Sequence, residues 1–485
     1  MSEEIRNYRE AEPTGQPWIQ GSGLRREPSL GHRRRGKNME GNTIARRQML
    51  KGAGLFAGGA LFGSGFTLAI MQRSFGHEFL PGRRLERPWY ELGIIGEPIM
   101  DNQLLWYLSH VGQGMADVGE CLNTASRIDA TDEDSWPKEW LETAERVGSL
   151  AESSLAKGHK RSAGEAYMRA ANYYRAALIH HPEPEDPSVV HAARQSVTCF
   201  ETALELLFIL AQPVRIPYEG TTLPGYYFPS TVTRGDAPIL IVHQGRDAWP
   251  EETMWVVNGA TRRGYHCLIF HGPGQGMAIR EQGLTFRPDW EKVVTLVVDF
   301  ALKLPNVERE GIILMGLSMG GALSTRAAAF EKRIRICIAN PGVLNWGEAM
   351  YSHFAAYPGL LELLEVSPRA FNTAVEGLTT AWPTAKWWFR DAAWKHGATS
   401  AADLMTKLKD FNNEDIVEHI TCQMLIMDGV AEVFTPGQAK KLYDALESPK
   451  EYMLFTEEDT GLVHCQTGAL SVASQRMFDW LDEHI

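Results

Sequence analysis

The sequence predicts an α/β protein with a mostly parallel sheet, covered by helices on both faces and preceded by an all-helical region. Two observations lead to this fold class. Short apolar runs alternate with helical segments in the second half of the chain, as buried parallel strands do. Before Pro213, in contrast, no long stretch alternates with a period of two. The expected strands are residues 239–242, 267–270, 312–315, 334–339, 424–427 and 452–455.

The first 75 residues are expected to form a leader rather than part of a folded core. Residues 1–51 carry a net charge of +5, whereas the whole chain carries −12. The motif RRQMLK at residues 46–51 precedes an uncharged, weakly apolar stretch at 52–72, which is typical of a twin-arginine export signal. We therefore expect the export machinery as a partner and a periplasmic or cell-envelope location. Met39 is a plausible true start.

Two other interpretations of the leader stay open. Because no clear cleavage site follows the apolar stretch, the leader could remain as a membrane anchor. It could also be a glycine-rich arm on a cytoplasmic enzyme.

Residues 76–212 are expected to form an all-helical cap domain. Tyr167, Ala171, Tyr174 and Leu178 recur at steps of three and four, which predicts one helix face. Residues 213–485 then form the catalytic domain, which opens with a strand pair within 216–228. The aromatic-rich stretch 345–420 is longer than a simple crossover and predicts a lid-like insertion.

Charge and cysteine spacing limit the function classes. The chain beyond residue 51 carries −17, which argues against a nucleic-acid partner because phosphate binding needs a basic surface. The six cysteines show no C-x-x-C spacing, and the GPGQG segment at 272–276 lacks dinucleotide or Walker spacing. We therefore expect neither a metal nor a cofactor.

The sequence around Ser318 predicts a nucleophile. Gly316, Ser318 and Gly320 make a G-x-S-x-G motif between an apolar strand and a good helix former. This strand–turn–helix context is that of the nucleophile turn in the α/β-hydrolase fold, where bulky neighbours would collide. The N–H of Met319 is one expected oxyanion donor. The alternative is a small-residue turn in a catalytically dead relative.

The base is expected to be His464 and the acid Glu432. In this fold the three residues occur in the order Ser, Asp or Glu, then His. Past the possible acids only His464 and the terminal His484 remain. Glu432 lies in the turn beyond a predicted strand, whereas Asp428, the alternative acid, lies at the strand end.

A second oxyanion donor is expected in the loop after strand 239–242. The N–H of Gly245 or of Arg246 occupies the appropriate position. His243 is expected to be a structural hydrogen-bonding residue.

Several longer motifs give the chain a specific resemblance. They are AYMRAANYYR at 166–175, IPYEGTTLPG at 216–225, GPGQG at 272–276, RPDWE at 287–291, FTPGQA at 434–439 and HCQ at 464–466. With these motifs the chain resembles the family of 2,6-dihydroxypseudooxynicotine hydrolase, the fungal hydrolases that shorten polyketide pigment precursors, and the fermentation–respiration switch esterases. The resemblance implies an acid just before Pro-Gly-Gln, which favours Glu432. The chain departs from the pattern at His271, Gln244 and Glu432, where Asp, Gly and Asp are more usual.

The resemblance implies hydrolysis of an ester or of a carbon–carbon bond beside a ketone in a small substrate. Glu348 is a candidate for the extra proton donor that carbon–carbon cleavage would use, or else a solvated helix residue. The aromatic residues Trp382, Trp387, Trp388, Phe389 and Trp394 either line an aromatic-substrate pocket or pack a lid. Alternatives are a non-catalytic envelope binding protein and a serine peptidase. Relatives of this kind are often dimers, so a homodimer is possible.

Overall fold

The computed structural model describes residues 88–354 and 357–485. The basic leader, the twin-arginine motif and Met39 lie outside these residues, so the export interpretation stays a prediction. Within the described ranges, no helix combines the length and apolar character needed to cross a bilayer.

One eight-stranded, mostly parallel sheet organises the second half of the chain. Its spatial order is β1-β2-β4-β3-β5-β6-β7-β8. Only the β1–β2 and β2–β4 pairs are antiparallel. The predicted fold class is therefore confirmed. The strands are β1 Gln212–Tyr218, β2 Thr221–Phe228, β3 Ala237–His243, β4 His266–Phe270, β5 Val307–Leu317, β6 Ile334–Asn340, β7 Gln423–Gly429 and β8 Lys450–Phe455.

Alternation along the strands separates two apolar cores, one on each face of the sheet. On β3, Leu240 and Val242 pack into the core that includes the N-terminal helical region. Ile239 and Ile241 pack into the core that includes the helices between β6 and β7. Successive side chains of a strand point to opposite faces, so a strand apolar at every position is buried on both sides.

Between residue 88 and the first strand, five helices precede the sheet. They are α1 Pro98–Ser109, α2 Val118–Ala125, α3 Ser135–Ala156, α4 Lys160–Ala176 and α5 Pro187–Leu206. Helix α5 begins where Pro187 follows Asp186, whose carboxylate caps the N–H of Ser188. The expectation that Leu178 shares the α4 face was wrong. The helix ends at Ala176, and the N–H of Leu178 bonds the Arg175 carbonyl in a tighter turn.

Among the described residues, eleven further helices accompany the strands, and five of them lie between β6 and β7, in the region where an insertion was expected. These five are α10 Trp346–Ser352, α11 Pro358–Val366, α12 Pro368–Thr379, α13 Pro383–Lys395 and α14 Ala401–Leu408. The remaining six are α6 Met254–Thr261, α7 Gly276–Gln282, α8 Glu291–Ala301, α9 Gly320–Phe330, α15 Gln438–Ala445 and α16 Leu470–His484.

Glu252, in the segment after β3, binds the helical region to the sheet region. Its carboxylate pairs with Arg175 of α4 at 3.0 Å, and both side chains are at most 2% exposed. It also accepts from the indole N–H of Trp106 at 2.7 Å. If α4 moved away, Arg175 and Glu252 would each be left as a buried charge without a partner, which is costly. These contacts therefore hold α1 and α4 against the loop after β3.

Candidate active site

Ser318 lies in a strained turn between β5 and α9. Its φ is +60°, a left-handed conformation that costs energy for any residue other than glycine. A Cβ on Gly316 would lie 1.9 Å from the carbonyl oxygen of Gly320, and one on Gly321 would lie 1.9 Å from that of Pro341. The glycines therefore let the chain turn sharply enough to hold Ser318 in this conformation.

A hydrogen-bond chain links Ser318, His464 and Glu432. The Oγ of Ser318 lies 2.9 Å from Nε2 of His464. The Nδ1 of the same ring lies 2.7 Å from Oε2 of Glu432. The other carboxylate oxygen, Oε1, accepts the N–H groups of Phe434 and Thr435 at 2.8 and 3.1 Å. These bonds orient the carboxylate, so that Nδ1 donates to it and Nε2 is left as an acceptor facing Ser318.

The surroundings of the Glu432–His464 pair favour the ionised form of the Glu432 carboxylate. Burial opposes the charge on Glu432, but His464 and the two backbone N–H groups lower its pKa below the ordinary value. Burial likewise opposes an imidazolium, yet the neighbouring Cys465 and Glu432 raise the pKa of His464 well above its ordinary value. When neutral, His464 can accept the Ser318 proton, and Glu432 then stabilises the imidazolium that forms.

Asp428 is placed differently from Glu432. It lies at the end of β7, where Tyr452 Oη donates to Oδ2 at 2.6 Å and the N–H of Gly429 donates to Oδ1 at 2.8 Å. Burial raises its pKa to about 6. Of the two possible acids, Glu432 is the one hydrogen-bonded to His464.

The backbone of Gly245 adjoins the Ser318 turn. An ideal Cβ on Gly245 would lie 2.6 Å from the Met319 nitrogen and 2.7 Å from the Cβ of Ser318. Neither the Met319 nor the Gly245 N–H, nor that of Arg246, donates to another described residue. Two unbonded N–H groups on adjoining segments are what a developing oxyanion requires.

Gln275 fixes the loop that carries Gly245. Its side-chain amide donates to the carbonyls of Gln244 and of Gly245, the latter at 3.1 Å. Its own carbonyl accepts the N–H of Gly272 at 3.0 Å. Sequence reasoning used GPGQG as a family motif and to exclude nucleotide-binding spacing, and it assigned no positioning role to Gln275.

Three of the expected lid tryptophans cover charged side chains. The Arg246 guanidinium lies 5.3 Å from the ring of Trp387 and 5.1 Å from that of Trp388. Arg280 lies 5.3 Å from the ring of Trp394. These distances are within cation–π range, so these three rings pack on cations beside the loop after β3.

Glu348 is engaged elsewhere. Lys441 Nζ lies 2.5 Å from Oε1, and Gln438 donates to Oε2 at 2.8 Å. The Lys441 ammonium lowers the pKa of the partly exposed carboxyl. A carboxyl held ionised is a poor proton donor at neutral pH, so these contacts favour the solvated-helix interpretation of Glu348.

Sequence reasoning assigned no role to two residues, Asn340 and Gln466, that join the loops of the site. Asn340, at the end of β6, accepts the N–H of Ser318 on its carbonyl at 2.7 Å. Its side-chain amide donates to Gln466 at 2.8 Å. The nucleophile turn and the His464 loop are thus held through one residue. In the sequence, the only indication of this role was that Asn340 lies at the end of a predicted strand.

Across residues 88–354 and 357–485, no group of three or more His, Cys, Asp or Glu side chains is arranged to hold a metal ion. All six cysteines are free, and five of them are buried.

Comparison with known proteins identifies the family. The alpha/beta hydrolase family profile matches residues 239–474. "Hydrolase LUC6" of Fusarium sp is 34% identical over 76% of this chain and 92% of its own. "20-hydroxy-prefusarin hydrolase FUS2" of Gibberella moniliformis is 35% identical with the same coverage. The crystal structure of 2,6-dihydroxy-pseudo-oxynicotine hydrolase shares the fold, with a TM-score of 0.61, 20% identity, and coverage of 78% of this chain and 95% of its own. With its parallel sheet, nucleophile turn and hydrolase relatives, this chain is an enzyme of the α/β-hydrolase family.

Proposed function

We propose that the protein is a serine hydrolase in which Ser318 is the nucleophile, His464 the general base and Glu432 the acid that orients the base. The main support is the unbroken hydrogen-bond chain from Ser318 Oγ through the His464 imidazole to the Glu432 carboxylate. Ser318 attacks a carbonyl carbon of the substrate while His464 removes its proton. The N–H groups of Met319 and of Gly245 or Arg246 stabilise the oxyanion.

The substrate class we propose is a small acyl compound, aromatic or polyketide-like, cleaved at an ester or at a carbon–carbon bond beside a ketone. In both reactions Ser318 forms an acyl-enzyme, which water hydrolyses with His464 as base. In ester cleavage an alcohol leaves and takes the proton from His464. In carbon–carbon cleavage the leaving group departs as an enol or enolate, which takes up that proton. The similarity to a relative named 20-hydroxy-prefusarin hydrolase supports a small-molecule substrate.

Fluorophosphonate labelling tests this proposal. Intact-mass measurement of the wild type should show one phosphonyl adduct, and Ser318→Ala should show none. Ser324→Ala is a matched control, because Ser324 is a buried serine on α9 whose Oγ is bonded within the helix. Its adduct should equal that of the wild type.

The alternatives make different predictions in the same experiment. Folded wild type without an adduct would favour a non-catalytic binding protein. An adduct followed by turnover of peptide amides, but of neither aryl esters nor 1,3-diketones, would favour a peptidase. Turnover of 1,3-diketones in preference to aryl esters would assign the carbon–carbon reaction.

A further inference from the structure

A cluster of charged side chains lies between the loop after β3 and helices α7 and α13. We call it the Arg246 cluster, and its members are Arg246, Asp247, Arg280, Asp391 and Lys395. Arg246 pairs with Asp247 at 3.0 Å, and Lys395 bridges Asp247 at 3.2 Å and Asp391 at 2.8 Å. Asp247 is 27% exposed, so the cluster adjoins space that solvent reaches.

The Arg246 cluster holds one more cation than anion. Its three basic side chains face two carboxylates. Arg280 donates to the Gly276 carbonyl and stacks on Trp249 and Trp394, but within the described part of the chain no carboxylate lies at ion-pair distance from it. Burying a charge costs free energy unless an opposite charge balances it. The excess charge of +1 in the Arg246 cluster therefore favours the binding of an anion there.

Three neighbouring side chains carry polar atoms without a hydrogen-bond partner among the described residues. These atoms are Nη1 of Arg246, Nε1 of Trp387 and both ring nitrogens of His180. The three residues are 6%, 3% and 3% exposed, respectively. The His180 and Trp387 rings lie 4.3 Å apart, and Arg246 lies over the same indole. Buried polar groups are almost always bonded, so adjacent orphans indicate a missing ligand or water.

The loop that carries Arg246 adjoins the reacting serine. Arg246 directly follows Gly245, whose Cβ position would lie 2.7 Å from that of Ser318. A substrate whose carbonyl lies on the Ser318 turn would therefore lie beside the loop that carries Arg246, and the Arg246 guanidinium in turn lies over the Trp387 ring. Burial lowers the pKa of His180 to about 3, so its ring is neutral and supplies one N–H and one acceptor.

We propose that Arg246 Nη1, together with the Trp387 indole N–H and His180, binds an anionic oxygen on the acyl part of a planar substrate. This inference rests on the proposed hydrolase function and adds a specificity subsite to it. The anionic oxygen belongs to a carboxylate or to an acidic enol, since both present a charged oxygen on a flat, conjugated group. The guanidinium supplies a charge-assisted hydrogen bond, and Trp387 and Trp388 supply the flat walls.

A pair of esters tests the subsite. The mono-4-nitrophenyl ester of terephthalate carries a carboxylate, and 4-nitrophenyl 4-methylbenzoate is its neutral counterpart. Wild type should prefer the charged ester in kcat/KM. Arg246→Met should reduce the ratio of charged to neutral kcat/KM about 10- to 100-fold, the loss of one charge-assisted bond. The ratio cancels any general loss of activity through the backbone of residue 246.

Two further variants keep the test decisive. Trp387→Phe keeps an aromatic wall, removes the N–H together with part of the indole ring, and should also lower the ratio. Arg390→Gln is the matched control, because Arg390 lies on the same helix but is 42% exposed and pairs with Glu183 at the surface. It should leave the ratio unchanged. Equal kcat/KM for the two esters in wild type, or an unchanged ratio in both Arg246→Met and Trp387→Phe, would overturn the subsite.

Direct binding separates failure of the subsite from failure of the hydrolase function. Calorimetry on Ser318→Ala would compare benzoate with benzamide, and 4-hydroxy-6-methyl-2-pyrone with its methyl ether. Tighter binding of benzoate identifies a carboxylate site, and tighter binding of the hydroxypyrone an enolate site. Preference for neither anion overturns the inference even if both esters are hydrolysed. Anion preference in a protein without hydrolysis or labelling would remove the hydrolase function and leave the subsite.

Discussion

His464 and Glu432 are joined by a 2.7 Å hydrogen bond between Nδ1 and Oε2, and Asp428 is bonded instead to Tyr452. We therefore predict that Glu432→Gln lowers kcat by roughly a thousand-fold or more, because an amide in this position favours the wrong imidazole tautomer. Asp428→Asn should have a much smaller effect, since an asparagine oxygen can still accept from Tyr452. Steady-state kinetics on an aryl ester would measure both. A larger loss in Asp428→Asn would reverse the assignment.

The pH dependence of kcat/KM follows from the raised pKa of His464. The neutral imidazole is the base, so activity should fall as the pH drops through that pKa, with a midpoint above the ordinary value of about 6.5. Glu432→Gln removes the charge that stabilises the imidazolium and should move this limb to lower pH. Burial raises the pKa of Asp428 to about 6, so Asp428 could titrate in the same pH range. A limb of the pH profile that persists in Asp428→Asn therefore belongs to His464. A limb that moves upward in Glu432→Gln would contradict the electrostatic argument.

Gln275 is predicted to act as a positioning residue for the oxyanion loop. Gln275→Leu removes three hydrogen bonds that hold Gln244, Gly245 and Gly272. Displacing the Gly245 N–H should lower kcat by about 10- to 100-fold and change KM less. Gln282→Leu is the control, because Gln282 bonds Thr222 away from Ser318. Equal kcat values in the two variants would show that bracing by Gln275 is dispensable.

The glycine at 316 is predicted to be required for stability as well as for chemistry. Gly316→Ala places a Cβ 1.9 Å from a backbone oxygen that cannot move without opening the turn, and should cost about 2 kcal/mol or more of the free energy of unfolding. Gly377→Ala, on the exposed face of α12 with no atom within 4 Å, should instead stabilise by about 0.5–1 kcal/mol. Urea unfolding of both variants provides the comparison. Similar changes would contradict the steric explanation.

The leader predicts export through the twin-arginine route. Replacing Arg46 and Arg47 by lysine preserves charge but removes the paired guanidinium groups, so the protein should accumulate in the cytoplasm of a bacterial host that has this machinery. The same replacement at Arg34 and Arg35 is the control and should leave export unchanged. Cell fractionation would measure the distribution. Equal export of both variants would favour the anchor or cytoplasmic interpretation.

Local pattern was sufficient to predict most of the fold. Every apolar run expected to be a strand lies within β3 to β8, because burial on both faces leaves a continuous apolar segment that is visible without any neighbour. The Ser318 turn was equally visible, since glycine is required wherever backbone segments approach as closely as Gly316 and Gly320 do. Helix ends were less certain: α4 ends before Leu178 although the apolar spacing continues.

Which side chains meet was decided only by the tertiary structure. Ser318 and His464 are 146 residues apart, and nothing in the sequence between them fixes the distance from Oγ to Nε2. The choice between Glu432 and Asp428 was open for the same reason, because one lies at the end of β7 and the other just beyond it, and they differ in the side chain that each contacts. The Arg246 cluster could not be predicted from the sequence, because its members come from three separate segments. A charged side chain without a partner is costly only when folding removes it from water, and the sequence alone does not show which charges are buried.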